Sequence, residues 1–332
     1  MRGLCALGIM IYHYLTWTLG VYPSETFMGR LGVYGVSMFY VLSGLALYFV
    51  YYDKLEITKK GIATFFKKRI LRIFPLLWLV TIIEIILAKG KVADFNNLLL
   101  NLSGLFSFIK PDAYIAKGVW SIGNELVFYS LFPFFVFFSR SFKSLMILLT
   151  LIIFGLYLYF AFIKIDDHST FLEQWKNYIN PLNQAFLFLG GFFIGLFLHN
   201  CKINNSIATM LLLAGLGLFM FFPVKGDTIH LITGVNRLVF TTCCFLICVS
   251  FYKMSFVLPK IIHKPLIFLG EISYSLYLLH GIVYAVFTIL KKYFFPLPGF
   301  AQPILSAISS LLISYFVYHF FEKYFIKAGK AR

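Results

Sequence analysis

The chain alternates long apolar runs with short polar segments that carry most of its charge. A hydrocarbon core about 30 Å thick is crossed by about 20 apolar residues of helix. Runs of about this length predict about ten transmembrane helices, at 3–22, 31–52, 70–88, 118–139, 144–163, 184–200, 206–224, 236–257, 265–290 and 303–322. The apolar stretch 98–109 is too short to span and is predicted to be re-entrant or interfacial. We therefore expect an all-α polytopic transmembrane helical bundle, organised as a single domain over residues 1–332.

The composition excludes a soluble globular domain. Of the 332 residues, 60% are apolar, 20% aromatic and only 13% charged, whereas soluble domains are about 25% charged. The net charge of +16 does not indicate nucleic-acid binding, because the basic residues stand between apolar runs and form no stripe. The 5 cysteines lie mostly in apolar runs without a CxxC spacing, so we expect no metal site.

The positions of lysine and arginine predict the orientation. With the N-terminus inside, the inner segments hold more of the 29 basic residues than the outer segments, which include Arg30 and Arg237. Cytoplasmic loops carry the excess of basic residues in membrane proteins. Both termini are therefore predicted to be cytoplasmic.

Two ionisable residues interrupt the first apolar run. Arg2 and His13 stand eleven positions apart, which places them on one helix face, about 16 Å apart along the axis. The spacing predicts a positive charge at the inner membrane surface and an imidazole near the middle of the bilayer. Ionisable groups at that depth are costly and are functional candidates. The alternative for His13 is a structural hydrogen bond to a backbone carbonyl of a neighbouring helix.

The second and third spans carry two further patterns. Small residues in the second span would allow another helix to approach closely: Gly35, Ser37, Ser43 and Gly44. Arg69 and Arg72 lie one turn apart at the inner start of the third span. Two guanidinium groups on one face can bind a phosphorylated ligand bidentately, although side chains extending to lipid headgroups are an alternative.

The fourth span has a polar face. Ser121, Glu125 and Tyr129 are spaced four apart, so a hydroxyl, a carboxylate and a phenol share one side of the helix. A carboxylate about two turns into the membrane is a functional candidate. The alternative is an ion pair with an outer-loop lysine such as Lys117.

The ninth span repeats this arrangement. Ser273, Tyr277 and His280 are spaced at i, i+4 and i+7, which gives one polar face ending in a second intramembrane histidine. Hydrogen bonding between helices explains such a face as well as a functional site does.

Six short motifs occur in an order that resembles the acyltransferase-3 family of bacterial integral membrane O-acyltransferases, which modify cell-surface glycans and some antibiotics. The matching segments run over almost the whole chain: the arginine-x10-histidine pair Arg2 and His13, Phe39–Gly44 (FFVLSG in the family), the RxxR pair Arg69 and Arg72, Trp120–Tyr129 (WSxxxExxxY), Gly270–His280 (GxxSYxxYLxH) and Phe321–Lys323 (FEK).

The resemblance implies an enzyme of the bacterial inner membrane, in contact with membrane lipids. Its donor would be cytoplasmic acyl-CoA, with acetyl-CoA expected, and its acceptor a hydroxyl of a cell-surface or lipid-linked glycan. Arg2, Arg69 and Arg72 would bind the donor phosphates and His13 would be the general base. Glu125 would orient the acceptor with support from Ser121 and Tyr129, and His280 would complete the catalytic set. Direct transfer and an acyl-histidine relay both remain open.

Several features depart from the family pattern or favour another class. Ser37 stands where relatives often carry aspartate, and the short tail after Glu322 predicts no fused periplasmic esterase-like domain. Ten spans with buried polar faces also suit an exporter or flippase of a polysaccharide or lipid-linked saccharide. Against this class, the sequence shows no inverted repeat and no matching pair of broken helices. A lipid- or protein-modifying acyltransferase would share the histidine but not the other motifs. The acyl group, the glycan and the oligomeric state stay open.

Overall fold

The computed structural model describes residues 1–88, 94–256, 258–294 and 299–330. Throughout these residues the regular secondary structure is helical, and no strand occurs among them. Lys89, Lys91 and Arg332, which entered the orientation argument, lie outside the described residues. The prediction of an all-α polytopic helical bundle is confirmed.

Each predicted span contains one long helix, and the described helices follow in chain order: α1 (Arg2–Leu19), α2 (Phe27–Tyr51), α3 (Lys59–Leu87), α4 (Phe95–Ser103), α5 (Phe106–Ile109), α6 (Val119–Ser141), α7 (Lys143–Tyr159), α8 (Trp175–Tyr178), α9 (Pro181–Leu198), α10 (Asn205–Phe221), α11 (Ile229–Ile232), α12 (Gly234–Lys253), α13 (Lys260–Tyr293), α14 (Ala301–Phe316) and α15 (Lys323–Lys330). Two π-helical turns, Phe160–Lys164 and Val317–Glu322, continue α7 and α14. Eight of the described helices are long and apolar enough to cross a membrane. The other two at predicted span positions, α1 and α10, have 18 and 17 residues.

Two boundaries differ informatively from the prediction. The apolar stretch 98–109 folds as the short helices α4 and α5. Helix α3 begins at Lys59 and not at residue 70, because the Thr58 hydroxyl accepts a hydrogen bond from the Gly61 nitrogen (3.1 Å) and caps a basic helical segment that an apolar count misses. Arg69 and Arg72 therefore lie in the interior of a long helix and not in its first turn, where the sequence placed them.

Backbone contacts divide the chain into two compact units. The first comprises Met1–Val21, Thr58–Gly123 and His263–Arg332, and the second comprises Tyr22–Ile57 and Asn124–Ile262. The single-domain organisation stays a prediction.

In the second unit, α2 and α9 pack backbone against backbone through glycines. A Cβ added to Gly191 would lie 2.8 Å from the carbonyl carbon of Val41 and 3.0 Å from the nitrogen of Leu45. A Cβ added to Gly44 would lie 2.9 Å from the nitrogen of Phe192. The small residues predicted to admit a neighbouring helix in the second span do so at Gly44, and Gly191 is the matching position on the partner helix.

Two arginines counted as outer-segment charges are in fact buried within helices of the second unit. Arg30 on α2 is 2% exposed, and its guanidinium donates to three carbonyl oxygens, those of Ser24 (2.8 Å), Phe219 (2.7 Å) and Phe222 (2.6 Å). The last two belong to the end of α10, where carbonyls lack donors within the helix and a positive charge is favourable. Arg237 on α12 donates to the Asn183 carbonyl (2.8 Å). These two charges serve packing, so they are weaker orientation signals than loop lysines.

Candidate active site

The first unit brings the two intramembrane histidines together. His13 Nδ1 and His280 Nε2 are 2.8 Å apart, within hydrogen-bond distance. Helices α1 and α13 approach closely because Gly3 has no side chain: a Cβ there would lie 2.6 Å from the Gly270 nitrogen. His13 is partly exposed, whereas His280 is buried. The histidine of the first span and the histidine of the ninth span, predicted separately, thus form one pair.

Aromatic side chains hold both imidazole rings in one orientation. The planes of His13 and His280 differ by 11°, and the Trp17 ring is parallel to them within 13° and 10°. The Tyr14 hydroxyl donates to the His280 carbonyl oxygen (2.9 Å) and also bonds the Ser310 hydroxyl (2.7 Å). Because Tyr14 has one hydroxyl hydrogen, Ser310 is the donor in the second bond.

The group around the histidines also includes Tyr14, Trp17 and Lys117, which no sequence pattern placed there. The Lys117 ammonium lies 5.4 Å from the centre of the Trp17 ring, a cation–π distance. Tyr14 and Trp17 stand one and four positions after His13, so helical periodicity could have placed them beside it. Nothing in the sequence indicates that the loop preceding α6 brings Lys117 to the same place.

Ser121 and Tyr277, predicted on two different polar faces, also meet in the first unit. The Ser121 hydroxyl bonds the Tyr277 hydroxyl at 2.8 Å and the Gly118 carbonyl at 3.0 Å. Gly118 has φ of +79°, a left-handed backbone conformation that favours glycine and ends the loop just before α6. Ser273, the third member of its predicted face, instead bonds the Gly270 carbonyl of its own helix (2.9 Å).

Glu125 and Tyr129 belong to the second unit, and they contact each other. The Tyr129 hydroxyl donates to the Glu125 carboxylate (2.7 Å), as the spacing of four predicts, and lies 3.1 Å from the Ser43 hydroxyl of α2. Glu125 is 7% exposed. Asn124, which the sequence analysis passed over, is fully buried beside it and donates to the Ile179 carbonyl (3.0 Å). A carboxylate with hydroxyl neighbours can bind the hydroxyls of a ligand.

The three arginines predicted to bind a donor all lie in the first unit. Arg2 is the first residue of α1, Arg69 is half-buried and Arg72 is exposed on α3. Arg72 is also close enough to the buried carboxylate of Glu322 to interact with it electrostatically. Glu322 accepts a hydrogen bond from Ser275. Glu322 of the FEK segment therefore interacts electrostatically with Arg72 of the RxxR segment.

Groups that could hold a metal ion are limited to one place in the described residues. Asp166, Asp167 and His168 offer ligand atoms within 4.8 Å of one another, but all three side chains are exposed on a loop. Of the cysteines, Cys201 is exposed, while the others are buried thiols: Cys5, Cys243, Cys244 and Cys248.

The chain has eight described helices of membrane-spanning length. It also carries a histidine pair and a buried carboxylate on its helices. These features are those of a polytopic membrane protein with polar side chains inside the membrane. The family model described as an acyltransferase domain matches residues 1–319. The chain belongs to this acyltransferase-3 family. The resemblance inferred from six motifs is confirmed. No solved structure matches the chain.

Named relatives agree with this assignment. The chain is similar to the O-acetyltransferase OatA of Staphylococcus aureus, with 24% identity over 99% of this chain. The alignment spans 57% of that relative's own length, so this chain corresponds to little more than half of it. It is also similar to the putative acetyltransferase ORF330 of Acidianus two-tailed virus, with 26% identity over 84% of this chain and 80% of the relative.

Proposed function

We propose that this protein is a membrane O-acyltransferase that moves an acetyl group from cytoplasmic acetyl-CoA to a hydroxyl of a cell-surface or lipid-linked glycan. The observation that carries the proposal is the His13–His280 pair, an imidazole held at mid-helix on the same helix as Arg2. Family membership and the names of the relatives support acyl transfer, and the name of OatA, an O-acetyltransferase, supports oxygen as the accepting atom. The exporter alternative is not favoured by these relationships.

The donor would enter from the cytoplasmic side. Arg2, Arg69 and Arg72 would bind its phosphates, for which guanidinium groups are suited by charge and by their planar fork. The pantetheine arm of coenzyme A, when extended, covers about the 16 Å that separates Arg2 from His13 along α1. Arg72, which also interacts with Glu322, would contribute less to donor binding than Arg69.

In the reaction, His13 removes the proton from the acceptor hydroxyl while the oxygen attacks the thioester carbonyl carbon. A C–O bond forms, and the tetrahedral intermediate then collapses with cleavage of the C–S bond. The imidazolium of His13 returns the proton to the departing thiolate, so the products are the acyl ester and coenzyme A. An imidazole can accept a proton and then donate it, so a histidine is suited to both proton transfers. Glu125, with Tyr129, would orient the acceptor.

Donor binding is the most direct test. Purified protein should be stabilised by acetyl-CoA without any acceptor, and a ligand at about 100 times its Kd adds about 2.7 kcal/mol. The double variant Arg69→Ala/Arg72→Ala should lose most of this gain. Lys67→Ala removes a positive charge from the same helix and is the matched control, which should keep it.

Transfer is tested with His13→Ala. This variant should still be stabilised by acetyl-CoA but should transfer acetyl about 10²–10⁴-fold more slowly, the usual contribution of a general base. Retained transfer would assign His13 a structural role. If no acyl-CoA stabilises the wild type and cells lacking the gene accumulate unacylated glycan inside, the protein is an exporter and the proposal fails.

A further inference from the structure

A chain of hydrogen bonds fixes the hydrogen positions on both histidines. His280 Nδ1 lies 3.2 Å from the Leu276 carbonyl oxygen. A carbonyl oxygen can only accept, so the hydrogen of this bond is on His280 Nδ1. A neutral imidazole carries one hydrogen, and His280 therefore presents a lone pair at Nε2.

The tautomer of His13 follows from that of His280. Its Nδ1 lies 2.8 Å from His280 Nε2, and a lone pair on His280 requires His13 Nδ1 to be the donor. His13 is then in the Nδ1–H tautomer, and its basic lone pair is on Nε2. The two ring planes differ by only 11°, and ring centroids 5.1 Å apart with nitrogens 2.8 Å apart fit two rings that face each other edge to edge, as an N–H aimed at an in-plane lone pair requires.

We infer that His280 is a positioning residue that sets the tautomer of His13, so that Nε2 is the atom that takes the acceptor's proton. The inference rests on the proposed function, since it assigns a role within that reaction. His280 touches neither donor nor acceptor in this scheme. During transfer His13 Nε2 gains the hydroxyl proton and then gives it to the thiolate, while the Nδ1 hydrogen stays on His13, bonded to His280.

The surroundings of His280 favour this role. Tyr14 donates to the His280 carbonyl, which fixes the backbone that bears the ring. Trp17 is stacked parallel to both imidazoles and limits their rotation.

The tautomer can be read directly by nitrogen NMR of protein labelled with ¹⁵N-histidine, with the His13 signals assigned by their loss in His13→Ala. In the wild type, His13 should show a protonated Nδ1 and an unprotonated Nε2. An unprotonated Nδ1 in an active wild-type enzyme overturns the inference and leaves the proposed function intact. Absence of acetyl transfer by a wild type with the expected tautomer refutes the function alone.

Two variants of His280 separate tautomer control from simple packing. In His280→Gln the side-chain oxygen extends as far as Nε2 and can accept from His13, whereas in His280→Asn the side chain is too short. His280→Gln should keep the Nδ1–H tautomer and most of the turnover. His280→Asn should shift His13 toward Nε2–H and lower kcat at least about tenfold, up to the about 10⁴-fold known for a base in the wrong tautomer, with the KM for acetyl-CoA unchanged.

A control variant and measurements of folding accompany the comparison of the two His280 variants. His263→Asn makes the same substitution at an exposed position of α13 and should change neither tautomer nor kcat. The melting temperature and membrane abundance of each variant show whether it is folded. Equal tautomer populations and equal kcat in folded His280→Gln and His280→Asn would contradict the inference.

Discussion

The contact between α2 and α9 allows a quantitative prediction for Gly191→Ala. The new Cβ would lie 2.8 Å from the Val41 carbonyl carbon, whereas carbon atoms pack best at about 3.5–4.0 Å. The Val41 carbonyl oxygen lies closer still to this Cβ position, so the two helices must separate by more than about 0.7 Å or distort, because the opposing atoms are backbone and cannot rotate away. Overpacking of this kind costs about 1–3 kcal/mol. At about 2–4 °C per kcal/mol for a unit of 150–250 residues, Tm should fall by about 2–12 °C.

The buried thiols of the second unit supply the assay. Cys243, Cys244 and Cys248 are buried on α12, so a thiol-reactive fluorescent dye reports their exposure as detergent-solubilised protein is heated. Gly155→Ala is the matched control, since Gly155 lies within α7 and a Cβ there meets nothing within 4 Å. This control should keep or slightly raise Tm, because alanine favours helix over glycine by about 0.5–1 kcal/mol. Equal Tm values for the two variants would refute the steric reasoning.

Three other predictions concern orientation, the acceptor carboxylate and the buried arginine. Reporter fusions after Lys60 and Lys330 should indicate the cytoplasm and one after Asp166 the outside, and an outside result at Lys60 would reverse the assigned depth of every residue. Glu125→Gln keeps the shape but removes the charge, so kcat/KM for the acceptor should fall while abundance in the membrane is kept; loss of the protein would indicate a structural role. Arg30→Lys cannot donate to three carbonyls with planar geometry and leaves buried acceptors unpaired, so thermal unfolding should show a loss of about 1–3 kcal/mol, and an unchanged Tm would contradict this.

The hydrophobic pattern was sufficient to locate every long helix, because a membrane imposes one length and one composition on each span. It was insufficient where a helix extends into charged sequence, as α3 does from Lys59. It also assigned Arg30 and Arg237 to outer segments, whereas both side chains are buried on helices. Their partners are backbone carbonyls, which have no signature in the sequence.

The candidate site was predictable as separate faces but not as pairs. The spacing of Glu125 and Tyr129 predicts a contact within one helix, and that contact is present. The spacing around His280 identifies a polar face, yet no periodicity tells which helix that face meets. The His13–His280 bond joins positions 267 residues apart, and it depends on the Gly3 contact between α1 and α13.

The buried Arg30 also sets an order for assembly during synthesis. Its Phe219 partner is 189 residues further along the chain, and ribosomes add about 5–20 residues per second, so α10 is completed roughly 10–40 s after α2. Throughout that interval two of the three carbonyls that later accept from Arg30 do not yet exist. An unpaired arginine within a membrane helix is costly, so these two hydrogen bonds stabilise the position of α2 only after α10 has been made. The hydrogen bonds of Arg30 therefore make the final packing of α2 depend on a helix that is synthesised much later in the same unit.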